Sequence, residues 1–271
     1  MLTQVPIEKM VFRQTNGHRG RHLSVTPENS SSRHLAYGRI ILDSATPSVQ
    51  FATGARETGL ICLSGGATIG VDGKPFPLAQ FDAIYVPRDS QIEVSTNIRA
   101  DLAEFTGIRA DLAEFSADVE CRYPLQFLRH AEISRNPALK SASATPGQAR
   151  HRQLIFGMNV EAGRLLAGIT YSEPANWASW PPHEHTATLE EVYVFFDMPA
   201  PAFGLQLLYD DTGYPELVVP VREGDAVLMP RGYHPNVSIP GHKICYLWAM
   251  AAHREKVDRK LGMANVQAEF K

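Results

Sequence analysis

Cysteine is scarce in this 271-residue chain: there are three, Cys62, Cys121 and Cys245, widely spaced and with no CxxC pair. An odd count at such spacing argues against a disulfide framework or a cysteine-rich zinc site. Each thiol is expected to be a small buried apolar residue. An excess of positive charge is also missing. The 26 Lys and Arg are outnumbered by 29 Asp and Glu, giving a formal net charge of −3 and a pI near 6.4. Two short basic groups, GHRGRH at 17–22 and ARHR at 149–152, do not make the clustered cationic surface that nucleic acid requires. No apolar run approaches the ~20 residues of a membrane helix. The opening MLTQVPIEKMVFRQ lacks the apolar core of a signal peptide. A cytoplasmic protein with no membrane or nucleic-acid partner is therefore expected. There is no Gly-rich dinucleotide fingerprint and no helix-turn-helix pattern.

What the chain does have is punctuation. Nineteen prolines and twenty glycines divide short segments rich in Val, Ile, Leu, Phe and Tyr, which is the pattern of an all-β protein. Strands are expected at 35–42 and 48–53, and in a run of hairpins over 59–96 that includes a type I′ turn at Asp72-Gly73. Hairpins at about ten-residue spacing describe a small jelly roll. Residues 1–34 read as polar and turn-rich. The octapeptide IRADLAEF occurs twice, at 98–105 and 108–115. That is too short for a solenoid repeat, and it reads as a local duplication in a surface loop or in a strand and its hairpin partner. Residues 131–150 are small, polar and broken by Pro and Gly, the expected linker between units at 1–130 and 151–271. The second unit carries further strands around 151–158, 164–171, 190–196 and 203–210, two within 217–237 about a turn at 223–225, and one at 243–251. It ends in a charged segment expected as a short helix or an arm packed on a neighbour.

The stretch WPPHEHTATLEE, 180–191, carries the chemistry. On a strand, His183 and His185 point to one face, about 7 Å apart at a rise of ~3.4 Å per residue. Glu190 stands five positions after His185, and His234 follows in MPRGYHP. Three imidazoles and one carboxylate, with room for water, describe an open, catalytic type of metal site. The bare HxH is also what two surface histidines in a Pro-rich loop would give. The Glu190 offset and the spacing of EGDAVLMPRGYH favour the metal. Adjacent strand residues face opposite ways, so Glu190 and Glu191 are not expected to share one pocket.

The H-x-H-x4-E from His183 to Glu190, followed by G-x5-P-x-G-x-H from Gly224 to His234, resembles the two metal-binding motifs of the cupin superfamily. Together with NWASWPPHEHT, LEEVYVF, AFGLQLLYDD and VLMPRGYHP, these motifs resemble bacterial 5-deoxy-glucuronate isomerases of myo-inositol breakdown. That family is itself similar to the pectin-pathway 4-deoxy-5-hexosulose-uronate ketol-isomerases. The resemblance implies two cupin (jelly-roll) β-barrels in tandem, with a divalent metal only in the second, held by His183, His185, Glu190 and His234. Zinc is the metal it favours, although manganese, iron and nickel accept the same ligands. GLICLSGGATIGVDG in the first half lacks H-x-H, and VPRDSQ stands where a histidine motif would be.

The implied reaction interconverts an aldose-type and a ketose-type deoxy-uronic acid by enediolate proton transfer, with no nicotinamide or flavin. Glu191 is a candidate base, and metal-bound hydroxide is another. Gln206 and Tyr209 are candidates to orient the sugar, and Arg231 and Lys243 to meet its carboxylate. A different cupin enzyme, such as an iron dioxygenase, or a sugar-binding module without turnover remains open beside the isomerase. Exposed edge strands leave pairing into a homo-oligomer open as well.

Overall fold

The computed structural model describes residues 5–96, 110–210, 215–262 and 264–271. Among these the protein is almost wholly β, with one short α-helix, His130–Arg135. Two jelly-roll units follow one another, as the segment pattern predicts. In the first, a six-stranded sheet that includes Ala36–Leu42, Arg56–Gly65, Ala83–Val86 and Ala110–Asp118 faces a four-stranded sheet of Ser48–Ala52, Ala67–Val71, Lys74–Leu78 and Gln91–Thr96. Ile40, Leu60, Cys62 and Leu112 from one sheet meet Ile69, Val71, Ile92 and Val94 from the other. In the second, seven strands including Arg150–Phe156, Leu165–Ser172, Leu189–Phe195, Ala226–Met229 and Cys245–Ala252 form the large sheet. Four more, among them Gly204–Leu208 and Asn236–Ser238, form the small one. The sheets of each unit are separate among the described residues, not one continuously bonded cylinder.

The two large sheets pack back to back, which is why their strands are apolar on both faces. On Arg56–Gly65, Leu60 and Cys62 fill the first unit, while Ile61 and Leu63 join the core shared with the second. Gly59 belongs to that shared face. A Cβ there would meet the Phe156 ring at 2.4 Å. Asp72 and Gly73 take φ of 50° and 81° between paired strands, as the Asp-Gly turn requires.

The first unit reaches into the second. Val11–Phe12, from the start of the chain, extends the second unit's sheet by pairing with Ala226–Met229. Gln126–Leu128, at the end of the first unit, forms the edge of that unit's own sheet by pairing with Ala83–Val86. Two buried carboxylates make the contact reciprocal. Glu57 accepts hydrogen bonds from the backbone N–H of Gly163 (2.7 Å), Arg164 (2.7 Å) and Leu165 (2.8 Å) and from the Tyr85 hydroxyl (2.6 Å). Glu190 accepts from the N–H of Arg33 (2.7 Å), His34 (2.7 Å) and Leu35 (2.6 Å), with the Ser32 hydroxyl at 2.9 Å. Each is the second residue of its strand. Each satisfies three donors of the other unit that would otherwise be left without an acceptor on a largely buried stretch of chain.

Several expectations need correcting. Residues 1–34 are not only loop: Gly20–Val25 pairs with Ala36–Leu42. Residues 131–150 hold the helix and the strand Lys140–Ser143, which pairs with Arg150–Phe156. The first IRADLAEF copy lies outside the described residues. From Ala110 onward the second is a buried central strand, which is the strand alternative and not the surface loop. Cys121 is exposed, while Cys62 and Cys245 are buried. The C-terminal arm packs on its own chain, pairing Asn265–Val266 with His183–Glu184.

Candidate metal centre

Strand alternation decides what the central strand Leu189–Phe195 offers to each side. Glu190, Val192 and Val194 turn toward the first unit. Glu191 and Tyr193 turn into the second unit's own interior, where they line a narrow cavity with His183. The strand register sets Glu191 opposite Met250 and Tyr193 opposite Trp248. The carboxylate at the histidines is therefore Glu191. Its Oε2 lies 3.0 Å from His185 Nε2 and 3.1 Å from His234 Nε2. Ligand atoms of these three buried residues all fall within 4.8 Å of one another. Glu190, expected here as the fourth ligand, is instead sealed by the backbone of residues 33–35 on the opposite side of the strand.

His183 completes the group, its ring 4.9 Å from that of His234 and 6.4 Å from that of His185. All three imidazoles are held in one manner. Nδ1 of His183 meets the Pro181 carbonyl at 2.9 Å, that of His185 the Leu189 carbonyl at 3.2 Å, and that of His234 the Gly232 carbonyl at 2.8 Å. A carbonyl can only accept, so each Nδ1 carries a proton and each Nε2 faces inward, where it offers a lone pair to an ion or, with no ion between, His185 offers a proton to Glu191. This is how metal-binding imidazoles are oriented. His234 Nε2 is buried without hydrogen-bond geometry to any partner, although Glu191 lies near. Such an orphaned acceptor fits a cation between the groups.

The electrostatics agree. Burial, then the neighbouring His234, push His183 down to about 4, which keeps it neutral and able to donate a lone pair at neutral pH. Burial works against ionised Glu191, but the adjacent His185 and His234 outweigh it and hold the carboxyl down at about 2. For His185, burial is likewise overcome by Glu191, and its pKa is raised. In the first unit, Thr58 pairs with Val86 as Glu191 pairs with Met229 in the second. Val86 leads into PRDSQ where Met229 leads into PRGYH. The corresponding place thus has a hydroxyl in place of a carboxylate, and Gln91 where His234 stands.

The other sequence candidates are placed elsewhere. Gln206 is fully buried, and its amide donates to the His234 and Pro235 carbonyls at 3.0 and 3.2 Å, so it fixes the backbone that carries His234. Tyr209 donates to Gln267 Oε1 at 2.8 Å and fastens the C-terminal arm. Arg231 pairs with Asp210 at 2.9 Å and Lys243 with Asp197 at 2.7 Å. None of the four lines the cavity. Residues that do include Arg150, Arg152, Tyr246 and Trp248, which motif spacing did not single out. Their signal was alternation, with Arg150 and Arg152 two apart on one strand, and Tyr246 and Trp248 two apart on another.

The description KduI/IolB family matches residues 10–267. The chain belongs to the KduI/IolB family. Relatives of this KduI/IolB protein include the 5-deoxy-glucuronate isomerase of Lacticaseibacillus casei, 29% identical over 84% of each chain. The 4-deoxy-L-threo-5-hexosulose-uronate ketol-isomerase of Caldicellulosiruptor bescii is 26% identical over 80% of this chain and 79% of its own. Among solved structures, an IolB-like protein from Salmonella typhimurium LT2 superposes with a TM-score of 0.80 at 21% identity, covering 96% of this chain and 97% of that one. Oxalate decarboxylase from Bacillus subtilis shares the fold at a TM-score of 0.60 and 12% identity, over 90% of this chain and 77% of that one. No helix among the described residues is long and apolar enough to cross a membrane.

Proposed function

We propose that this protein is a metal-dependent aldose–ketose isomerase of a deoxy-uronic acid, converting 5-deoxy-D-glucuronate to 2-deoxy-5-keto-D-gluconate in myo-inositol catabolism. The observation that carries the reading is the convergence of His185 and His234 Nε2 on Glu191, with the His183 ring beside His234 and each Nδ1 tied to a backbone carbonyl. Membership of a family whose named relatives are sugar-acid isomerases supplies the reaction class. His183, His185, Glu191 and His234 would hold the ion, and three nitrogens with one oxygen suit zinc. A bound divalent metal supplies a Lewis acid at a substrate carbonyl and its neighbouring oxygen.

The chain's own groups do the rest. Glu191 serves as a ligand and not as the base, because its carboxylate is already engaged by two imidazoles. Tyr193 is kept protonated, since burial and then the Glu191 charge raise its pKa well above the usual value. Its hydroxyl donates to Ser179 at 3.0 Å, which fixes one wall of the cavity. Trp248 and Met250 form the apolar wall and exclude water from the reacting carbons. Isomerisation moves one proton between adjacent carbons and one between their oxygens, with no net redox change, so it needs neither nicotinamide nor oxygen.

The test is incubation of the metal-loaded protein with 5-deoxy-D-glucuronate in deuterated water, followed by NMR with an oxygen electrode in parallel. The expected result is the ketose with deuterium at the carbon that receives the proton and no oxygen consumed. Oxygen uptake, or binding without exchange, would overturn the reading. Running the 4-deoxy-5-hexosulose-uronate alongside assigns the substrate between the two named branches.

A further inference from the structure

The cavity beside the histidines carries positive charge that its own residues do not neutralise. Its floor is one face of the large sheet, and the pairing registers set the side chains along a diagonal across it. Glu191 is opposite Met250, Trp248 opposite Gly168, Tyr246 opposite Thr170, and Thr170 opposite Arg152. Arg152 therefore stands three strand spacings across and four residues along from Glu191, roughly 20 Å between backbones at about 4.8 Å per strand and about 3.3 Å per residue. Once side chains have reached in from both ends, that span leaves room for a chain of several carbons. The Arg152 guanidinium lies over the Trp248 ring, 5.0 Å from its centroid. The electron-rich ring face holds the cation in place and leaves N–H donors unused.

Among the described residues Arg152 has no hydrogen bond and no carboxylate partner. Its neighbour Arg150 is committed, donating to the Trp180 carbonyl at 2.6 Å and the Gln148 carbonyl at 3.1 Å. Glu191 is the cavity's acidic residue, and the two imidazoles already engage it. One cation with unused donors thus faces the far end of whatever reaches the histidines.

We propose that Arg152 selects an acid as the substrate: its guanidinium binds the carboxylate of the sugar acid while the other end of the molecule lies at His183, His185, Glu191 and His234. The inference rests on the isomerase reading for the sugar, but the choice of an acid comes from Arg152. A planar guanidinium offers two parallel N–H donors to a carboxylate, which a hydroxymethyl group cannot match. Arg231 and Lys243 are spent on surface carboxylates.

The experiment measures binding by calorimetry to the purified metal-loaded protein, with D-glucuronate and D-glucose as probes. These differ only in carboxylate against hydroxymethyl at the end remote from the carbonyl. The wild type should prefer glucuronate. Arg152→Gln should weaken glucuronate by roughly 10- to 100-fold, the range of a charge-assisted pair, and leave glucose unchanged. Arg152→Lys should fall between. Arg152 is exposed, and a matching melting temperature confirms that each variant is folded. Equal losses on both sugars, no loss on either, or no wild-type preference for glucuronate would overturn the inference. The two readings fail separately. An isomerase whose KM for the deoxy-uronate is unmoved in Arg152→Gln loses this inference alone. The expected binding pattern in a protein without turnover keeps this inference and loses the isomerase.

Discussion

Glu190 and Glu191 are neighbours in the chain and point to opposite sides of one strand: Glu190 closes on the backbone of residues 33–35, and Glu191 closes on His185 and His234. One residue joins the two units, and the next furnishes the site. Glu57 performs the joining task from the other unit, followed by Thr58 where the site carboxylate would be.

The joining role has a stability signature. Glu190→Gln and Glu57→Gln each turn an acceptor into a donor facing buried N–H groups. Each unpaired buried group costs about 1–3 kcal/mol, so each variant should lose roughly 2–4 kcal/mol in denaturant unfolding. The losses should be similar, because the two carboxylates hold matching sets of three N–H groups. A loss confined to one of them would contradict the reciprocal arrangement.

The C-terminal arm is expected to support metal retention. Asn265–Val266 pairs with His183–Glu184, Gln267 N–H donates to the Pro182 carbonyl at 2.9 Å, and Phe270 packs on Trp180 with ring centroids 5.0 Å apart. A chain lacking residues 265–271 should bind metal about 10-fold more weakly or worse, in the range seen when a ligand's supporting partners are removed. Competition with a chelator measures this, and unchanged affinity would count against the strap.

Gly168 permits the cavity floor. A Cβ there would stand 2.3 Å from the Trp248 ring and 2.4 Å from the Gln153 carbonyl oxygen. Gly168→Ala should therefore cost roughly 1–3 kcal/mol through overpacking and shift the tryptophan near-UV circular dichroism. A neutral effect on both would mean that the floor yields.

Sequence reading reached the fold because alternation and turn chemistry are local. The Asp72-Gly73 turn and the strand-length apolar runs are set by neighbours in the chain. The three histidines were legible for a related reason, since HxH on an extended segment gives one face. Glu190 was misassigned because a spacing count cannot tell which of two adjacent carboxylates faces inward; that depends on the register of Leu189–Phe195 against Ala226–Met229 and Cys245–Ala252. Arg150 and Arg152 escaped notice because they reach the cavity across three strand pairings. Arg231 and Lys243 drew notice as cations, but their carboxylate partners Asp210 and Asp197 lie 21 and 46 residues away in sequence and were not foreseeable.

Acid should loosen the contact between units through Glu255. Burial tends to raise its pKa, but hydrogen bonds from the Tyr123 hydroxyl and from the N–H groups of Glu120 and Cys121 outweigh this and lower it. A lowered carboxyl contributes stability above its unfolded value, near 4.3, and loses it as pH falls through the lowered folded value. Wild type should exceed Glu255→Gln in stability at pH 7, and the gap should narrow below about pH 4. A gap independent of pH would show that ionisation plays no part.

The most direct test of the central claim is metal content per folded chain, by mass spectrometry after extensive dialysis, in Glu191→Gln beside Glu190→Gln. The account expects close to one equivalent of metal in the wild type and in folded Glu190→Gln, and almost none in Glu191→Gln. Full occupancy in Glu191→Gln with loss in Glu190→Gln would contradict it.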